Sequence, residues 1–124
     1  NNYYVAINNF LDHPLFGTGI GSHYYAHDRY RLFSKKLWWI DLNKDDANSL
    51  FNRLISETGL FGIMLYSLLL IRYNIKKSRE DNTNKWIISN AILVLLLINI
   101  VRQGHYVAYG FPAFILMYYY LYKS

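Results

Sequence analysis

Polar and apolar positions are unevenly shared along the chain. Before Leu50, charges of both signs alternate with Gly, Asn, His and aromatic residues. After it come three apolar blocks, residues 59–71, 86–101 and 107–122. A bilayer-spanning helix needs about 20 mostly apolar residues, and at least about 17. Each block alone is slightly short. The first extends backwards through Ser49–Thr58, which has no proline and carries apolar residues at 50, 51, 54 and 55. That spacing predicts a helix that begins amphipathic at an interface and then enters the membrane. Residues 68–71 and 93–98 are apolar on every face, whereas a helix of a soluble bundle keeps a polar one. Trp86, Tyr106, Tyr109 and the tyrosines from Tyr118 to Tyr122 sit at block ends, as interfacial belts do.

The pattern predicts an all-α polytopic membrane protein fragment. Residues 1–48 form an outer loop with short helices, and residues 49–124 a membrane region. Three transmembrane helices are expected at 49–72, 86–102 and 107–122, with a cytoplasmic loop at 73–85. Orientation follows from the connections. The segment from Arg72 to Lys85 is short and dense in Lys and Arg, whereas 102–106 holds only Arg102. The positive-inside rule puts the first in the cytoplasm and makes residues 1–48 and 102–106 extracytoplasmic. Arg29, Arg31, Lys35, Lys36 and Lys44 in the outer loop are balanced by acids and spread over a longer segment. The chain starts at Asn1 without a methionine or a signal peptide. An outer loop of this size needs an upstream span, so the expectation is the carboxyl-terminal piece of a larger protein.

Composition sharpens this picture. The 124 residues are 53% hydrophobic and 17% charged, below the usual quarter, which argues against disorder. The absence of cysteine excludes disulfides and cysteine-based metal sites or nucleophiles. A mean hydropathy of +0.03 is the cancellation of a polar loop against apolar helices. The net charge of +5 divides between a cytoplasmic anchor and a few outward arginines, and does not imply nucleic acid.

Candidate chemistry is concentrated at four places. Asn2–Leu11 has Val5, Ala6, Phe10 and Leu11 at helical spacing, and Pro14 ends that helix. Gly17, Gly19 and Gly21 follow, in a spacing that departs from a dinucleotide fingerprint because position 22 is Ser, and a tight turn at the membrane surface is expected. His23, His27 and Asp28 suggest a metal site, since the two histidines at i and i+4 share a helix face, but the sequence places no third ligand on that face, so no metal is expected. The Asp28–Arg31 cluster reads either as solvated surface or as a phosphate or sugar contact through Arg29 and Arg31. Arg53 and Glu57, spaced i, i+4, read either as an ion pair or as groups facing a cavity. Arg102 and His105 face the same compartment, although Arg102 can also simply snorkel.

Two of these stretches carry a resemblance. Asp12-His-Pro-Leu-Phe-Gly-Thr-Gly-Ile-Gly-Ser22 resembles a loop motif of bacterial O-antigen polymerases and O-antigen ligases. Asp46-Ala-Asn-Ser-Leu-Phe-Asn-Arg-Leu-Ile-Ser-Glu-Thr-Gly-Leu-Phe-Gly62 is similar to the same family's second motif, and Arg102-Gln-Gly-His-Tyr106 is a weaker match to the polymerase branch. The resemblance covers most of this chain but only the carboxyl-terminal part of the family's length.

It implies a glycosyltransferase of the bacterial inner membrane that needs no cofactor and no metal. The substrate would be an undecaprenyl-pyrophosphate-linked oligosaccharide, polymerised into O-antigen or capsule. Membrane lipid and a chain-length regulator protein would be further partners. Ligases of the family place a His where this chain has Asn48, which tilts the reading towards polymerase. A ligase acting on lipid A core or protein is the alternative. A non-catalytic polysaccharide-export or lipid-sugar-binding subunit is the alternative outside the enzymes.

The chemistry requires cationic stabilisation of a departing pyrophosphate. Arg53 and Arg102 are expected to supply it, with His105 or Glu57 taking the acceptor hydroxyl's proton. Arg29, Arg31, Asn48, Gly19, Gly21 and Tyr106 are expected to bind substrate. Tyr24, Tyr25, Tyr30, Trp38 and Trp39 are candidates for stacking on sugars.

Overall fold

The computed structural model describes residues 1–32, 42, 44, 45, 47–77, 83–102, 105–107 and 110–123. The described residues are all-helical, in the order α1 (Asn2–Asp12), α2 (His23–Tyr30), α3 (Leu50–Arg72), α4 (Thr83–Arg102) and α5 (Phe111–Lys123). The amino-terminal segment contributes the short α1 and α2, which pack on each other and on α3. Trp38, Trp39, Lys35, Lys36 and Tyr109 lie outside the described residues.

α1 stops where Pro14 requires, with His13 as its cap donating to the Asn9 carbonyl at 3.0 Å. Its inward face differs from the expected one. Asn2, Val5, Ala6 and Asn9 are buried, while Leu11 is exposed. Ser49 caps α3 by accepting a hydrogen bond from the Asn52 amide at 3.2 Å.

α3 and α4 are each long and apolar enough to cross a membrane, at 23 and 20 residues. Only about a fifth of either candidate span is buried within the chain (22% in each). Leu65, Leu68, Ile71, Val94, Leu97, Ile98 and Val101 point outwards, which is the reverse of a soluble bundle's pattern. The boundaries of α3 match the expected 49–72, and α4 starts three residues earlier than expected, at Thr83. Among the described residues the third expected span, 107–122, is not one of the helices long enough to cross a membrane. α5 begins at Phe111 instead of Val107, because Gly110 adopts φ +77° and Pro112 suits only a helix's first turn. Its 13 residues cover about 20 Å, less than the roughly 30 Å of a hydrocarbon core.

The packing of α3, α4 and α5 is held by Leu50, Ile92, Leu96, Phe111 and Tyr118, with Tyr66, Leu69 and Phe114 packed against them. Tyr66 stacks on Phe111, with ring centroids 6.1 Å apart. Its hydroxyl donates to the Leu96 carbonyl at 3.1 Å, and that of Tyr118 donates to the Leu70 carbonyl at 3.0 Å. Tyrosine suits these places because its ring packs while its hydroxyl satisfies a helix carbonyl.

The feature that organises the amino-terminal end of α3 is a break in that helix. Gly59 has φ 60° and ψ −151°, a conformation essentially restricted to glycine. In an unbroken helix the Leu60 and Phe61 amides would donate to the Ser56 and Glu57 carbonyls. Here they donate to the Pro14 carbonyl at 2.9 Å and the Leu15 carbonyl at 3.0 Å. The carbonyls thus released are also satisfied. That of Glu57 accepts from the Gly19 amide at 2.8 Å, and that of Ser56 from the Asn9 side chain at 2.8 Å and the Thr18 amide at 3.4 Å. The turn between α1 and α2 therefore replaces, on both sides of the break, the partners the helix gave up. Each buried backbone group left unpaired would cost about 1–3 kcal/mol.

This exchange needs backbone against backbone. A Cβ on Gly17 would stand 2.4 Å from the Glu57 carbonyl carbon, and one on Gly59 would stand 2.6 Å from the Pro14 oxygen. A Cβ on Gly21 would meet nothing within 4 Å, although its φ is also positive. We expect Gly17→Ala or Gly59→Ala to lower stability by on the order of 3 kcal/mol or more, combining overlap with left-handed strain. Gly21→Ala should cost only about 1–2 kcal/mol. Thermal unfolding in detergent micelles, comparing the three variants, measures the difference.

Candidate functional site

The amphipathic start of α3 carries the polar side chains to the break. Arg53 and Glu57 lie one helical turn apart, and Arg53 Nε donates to Glu57 Oε1 at 3.0 Å. Glu57 is fully buried. Its Oε1 also accepts from the His23 amide at 3.3 Å, at the start of α2, and its Oε2 accepts from the Tyr106 hydroxyl at 3.0 Å. A buried carboxylate is tolerable only when paired and hydrogen-bonded, and here both oxygens are engaged. Burial, and then the facing Glu57 carboxylate, hold the Tyr106 phenol above its ordinary pKa.

Arg53 is bound on a second side. Its Nη1 lies 3.0 Å from His105 Nδ1. A guanidinium has no acceptor, so Nδ1 accepts and a neutral His105 carries its proton on Nε2. The Tyr106 ring lies 5.3 Å from the Arg53 guanidinium carbon. Arg53, Glu57, His105 and Tyr106 thus form one cluster from sequence positions about fifty residues apart. An apolar groove of about 300 Å³ runs from Tyr106 and Ile100 along Leu54, Gly62, Leu65 and Leu69 of α3.

The other expected residues fall elsewhere. Arg102 is exposed in the last turn of α4, on the surface formed by Val94, Leu97, Ile98 and Val101, and no described hydrogen bond or ion pair joins it to Arg53. Arg29 lies 3.8 Å from Asp12 and 5.2 Å from the centre of the Tyr30 ring. The Tyr30 hydroxyl donates to the same Asp12 carboxylate. Arg29 also lines a cleft of about 270 Å³ with Asn9, Thr18, Ser22 and Tyr25. Arg31 caps α2 and acts on Asp28 only through its charge. Asp28 accepts from Lys44 at 2.7 Å, a bond that holds its carboxyl below the usual range. Lys44 also sits over the Tyr24 ring at 3.8 Å.

Asn48 is exposed with φ 63°, and Ala47 before it has φ 58°, so two consecutive left-handed residues lead into α3. Gly19 reaches the site through its amide, while Gly21 opens to free space. His23 and His27 share the buried face of α2. Among the described residues no group of three metal-ligating side chains comes together.

Asn9 is the residue that the sequence left unmarked. Its amide nitrogen lies 2.8 Å from Thr18 Oγ1 and 2.8 Å from both Ser56 oxygens, locking α1, the turn and α3 together. The available signal was an asparagine at a position where the 2, 5, 6, 9 spacing of α1 calls for an apolar side chain. Compared with protein-family models, with curated proteins and with solved structures, the chain matches none.

Proposed function

We propose that this chain is a membrane-embedded part of a lipid-carrier-dependent glycosyltransferase. In this reading it polymerises undecaprenyl-pyrophosphate-linked repeat units at the outer face of the bacterial inner membrane. The observation that carries it is the Arg53–Glu57–His105–Tyr106 cluster at the end of an apolar groove on a helix long enough to span. Three further features support it. The two resemblance motifs interlock at the Gly59 break. Leu15 and Phe16 of the turn continue the apolar surface of Leu60, Phe61 and Met64, as a loop seated in the lipid boundary would. The cleft beside Arg29 presents hydroxyl and amide groups of a kind that saccharides bind.

In this reading the carrier's apolar chain lies in the groove and its pyrophosphate meets Arg53. Cleavage of the anomeric carbon–oxygen bond puts negative charge on the departing pyrophosphate, and a fixed guanidinium stabilises that charge without having to reorganise. Glu57 is the positioning residue. With both oxygens occupied it fixes the guanidinium plane, and it is poorly placed to take a proton. His105, with Nδ1 engaged by Arg53, presents Nε2–H as a second donor towards phosphate oxygen. The acceptor hydroxyl's oxygen bonds the anomeric carbon as the bond to pyrophosphate breaks, and its proton passes late to an oxygen of the departing pyrophosphate, because an oxocarbenium-like transition state asks little of a base. Arg29 and the Thr18 and Ser22 hydroxyls orient sugar.

One observation favours the non-catalytic reading, a lipid-sugar-binding or export subunit. Arg102 points to the exposed surface of α4, so among the described residues a single arginine stands at the cluster instead of two. Substitution in the full-length gene separates the readings. Arg53→Lys keeps the charge and loses the planar fork, and should cut polymerisation by about 10²–10³-fold with the protein still inserted. Arg102→Gln should change it far less. Long-chain polysaccharide on a gel, scored with protein level, reads both; full-length ladders from Arg53→Lys would rule out the assigned role. Topology is checked in the same background with single cysteines, since this region has none of its own. Tyr25→Cys should react with a membrane-impermeant maleimide added outside intact spheroplasts, and Lys77→Cys only after lysis.

A further inference from the structure

The end of the bundle remote from Gly59 holds a second cleft. It has a volume of about 490 Å³ and lies where the end of α3, the start of α4 and the end of α5 meet. Arg72, Lys76 and Lys85 line it, together with Asn74 and Tyr122. Among the described residues, none that lines it is acidic. Glu80 and Asp81 of the same connection lie outside the described residues. Its remaining wall is Ile71, Ile75 and Leu121, and Ile71 continues the outward apolar face of α3.

The cations are arranged, not merely gathered. Arg72 Nη1 donates to the Tyr122 hydroxyl at 2.5 Å, and its guanidinium carbon stands 5.3 Å from that ring and 6.0 Å from the ring of Tyr73. The Tyr122 hydroxyl accepts from Arg72, so its own proton is directed to another acceptor. Lys77, by contrast, is drawn over the Trp86 ring at 5.3 Å and does not line the cleft. α4 begins beside the cleft, and the positive end of its backbone dipole favours an anion there.

We propose that this cleft is a binding site for the phosphate headgroup of an anionic phospholipid of the cytoplasmic leaflet. Arg72, Lys76, Lys85 and the Tyr122 hydroxyl hold the phosphodiester, and an acyl chain runs out along Ile71 and Leu121. The apolar wall beside the cations distinguishes this ligand from free phosphate. Basic pockets between helices on the cytoplasmic side recognise such headgroups. The site rests on the membrane-spanning reading, but it lies at the opposite end of α3 from the proposed catalytic cluster.

Native mass spectrometry of the full-length protein in micelles, with phosphatidylglycerol or phosphatidylcholine added, tests it. Phosphatidylglycerol should be retained as a discrete adduct in preference to phosphatidylcholine. The Lys76→Gln/Lys85→Gln variant should lower that adduct roughly tenfold. Both lysines lie outside the hydrophobic core, so the variant should fold, and an unchanged helical circular dichroism spectrum checks that it does. Lys77→Gln, which removes one charge outside the cleft, should leave the adduct nearly intact. Three results would overturn the site: equal retention of the two lipids, a Lys77→Gln loss as large as that of the double variant, or displacement of the lipid by inorganic phosphate at equal concentration. A protein that leaves the membrane in alkaline carbonate would instead contradict the spanning reading, which distinguishes the two failures.

Discussion

The amino-terminal half of this molecule depends on one exchange of backbone hydrogen bonds. Gly59 breaks α3, and the turn after α1 supplies both the acceptors that Leu60 and Phe61 need and the donors that Ser56 and Glu57 need. A helix break in an apolar setting is tolerable only if its freed groups find partners at once. Because the replacements come from the backbone, both contact points must be glycine, at Gly17 and Gly59. Asn9 secures the arrangement with its side-chain amide, since it reaches the turn and α3 together.

The polar cluster is a consequence of that break. The turn seats α2 so that the His23 amide reaches Glu57, and the carboxylate then fixes Arg53. Tyr106 and His105 close the arrangement from the connection between α4 and α5. A cation so held has little freedom left to lose and needs little reorganisation when negative charge develops near it, which is what a pyrophosphate leaving group asks for. The reading as a lipid-linked glycosyltransferase draws its support from this placement. The cluster stands near the amino-terminal end of an apolar helix whose far end gathers Arg72, Lys76 and Lys85.

The long apolar elements were readable from the sequence because a helix apolar on every face has no polar side to turn to water. The stop at Pro14 and the Arg53–Glu57 pair were readable too, since both are set by local geometry. Other features were hidden for physical reasons. Gly17, Gly19 and Gly21 look alike in the string, yet only Gly17 packs so closely on α3 that a Cβ would collide, because such contact depends on tertiary approach. Tyr106 and His105 come to Glu57 and Arg53 across about fifty residues, a distance over which periodicity carries nothing. The direction of Arg102 is set by the register of α4, which places it with Val94, Ile98 and Val101. The short α5 follows from Gly110, whose positive φ ends the preceding segment where hydropathy alone runs on.

Amide hydrogen exchange at Leu60 and Phe61, followed by nuclear magnetic resonance in micelles, tests the Gly59 exchange most directly. With their bonds to Pro14 and Leu15 in place, both amides should be as protected as those of residues 65–69, and should lose protection together with the Gly19 amide when the turn is displaced. Exchange of Leu60 and Phe61 at the rate of an unstructured peptide, with residues 65–69 still protected, would contradict it.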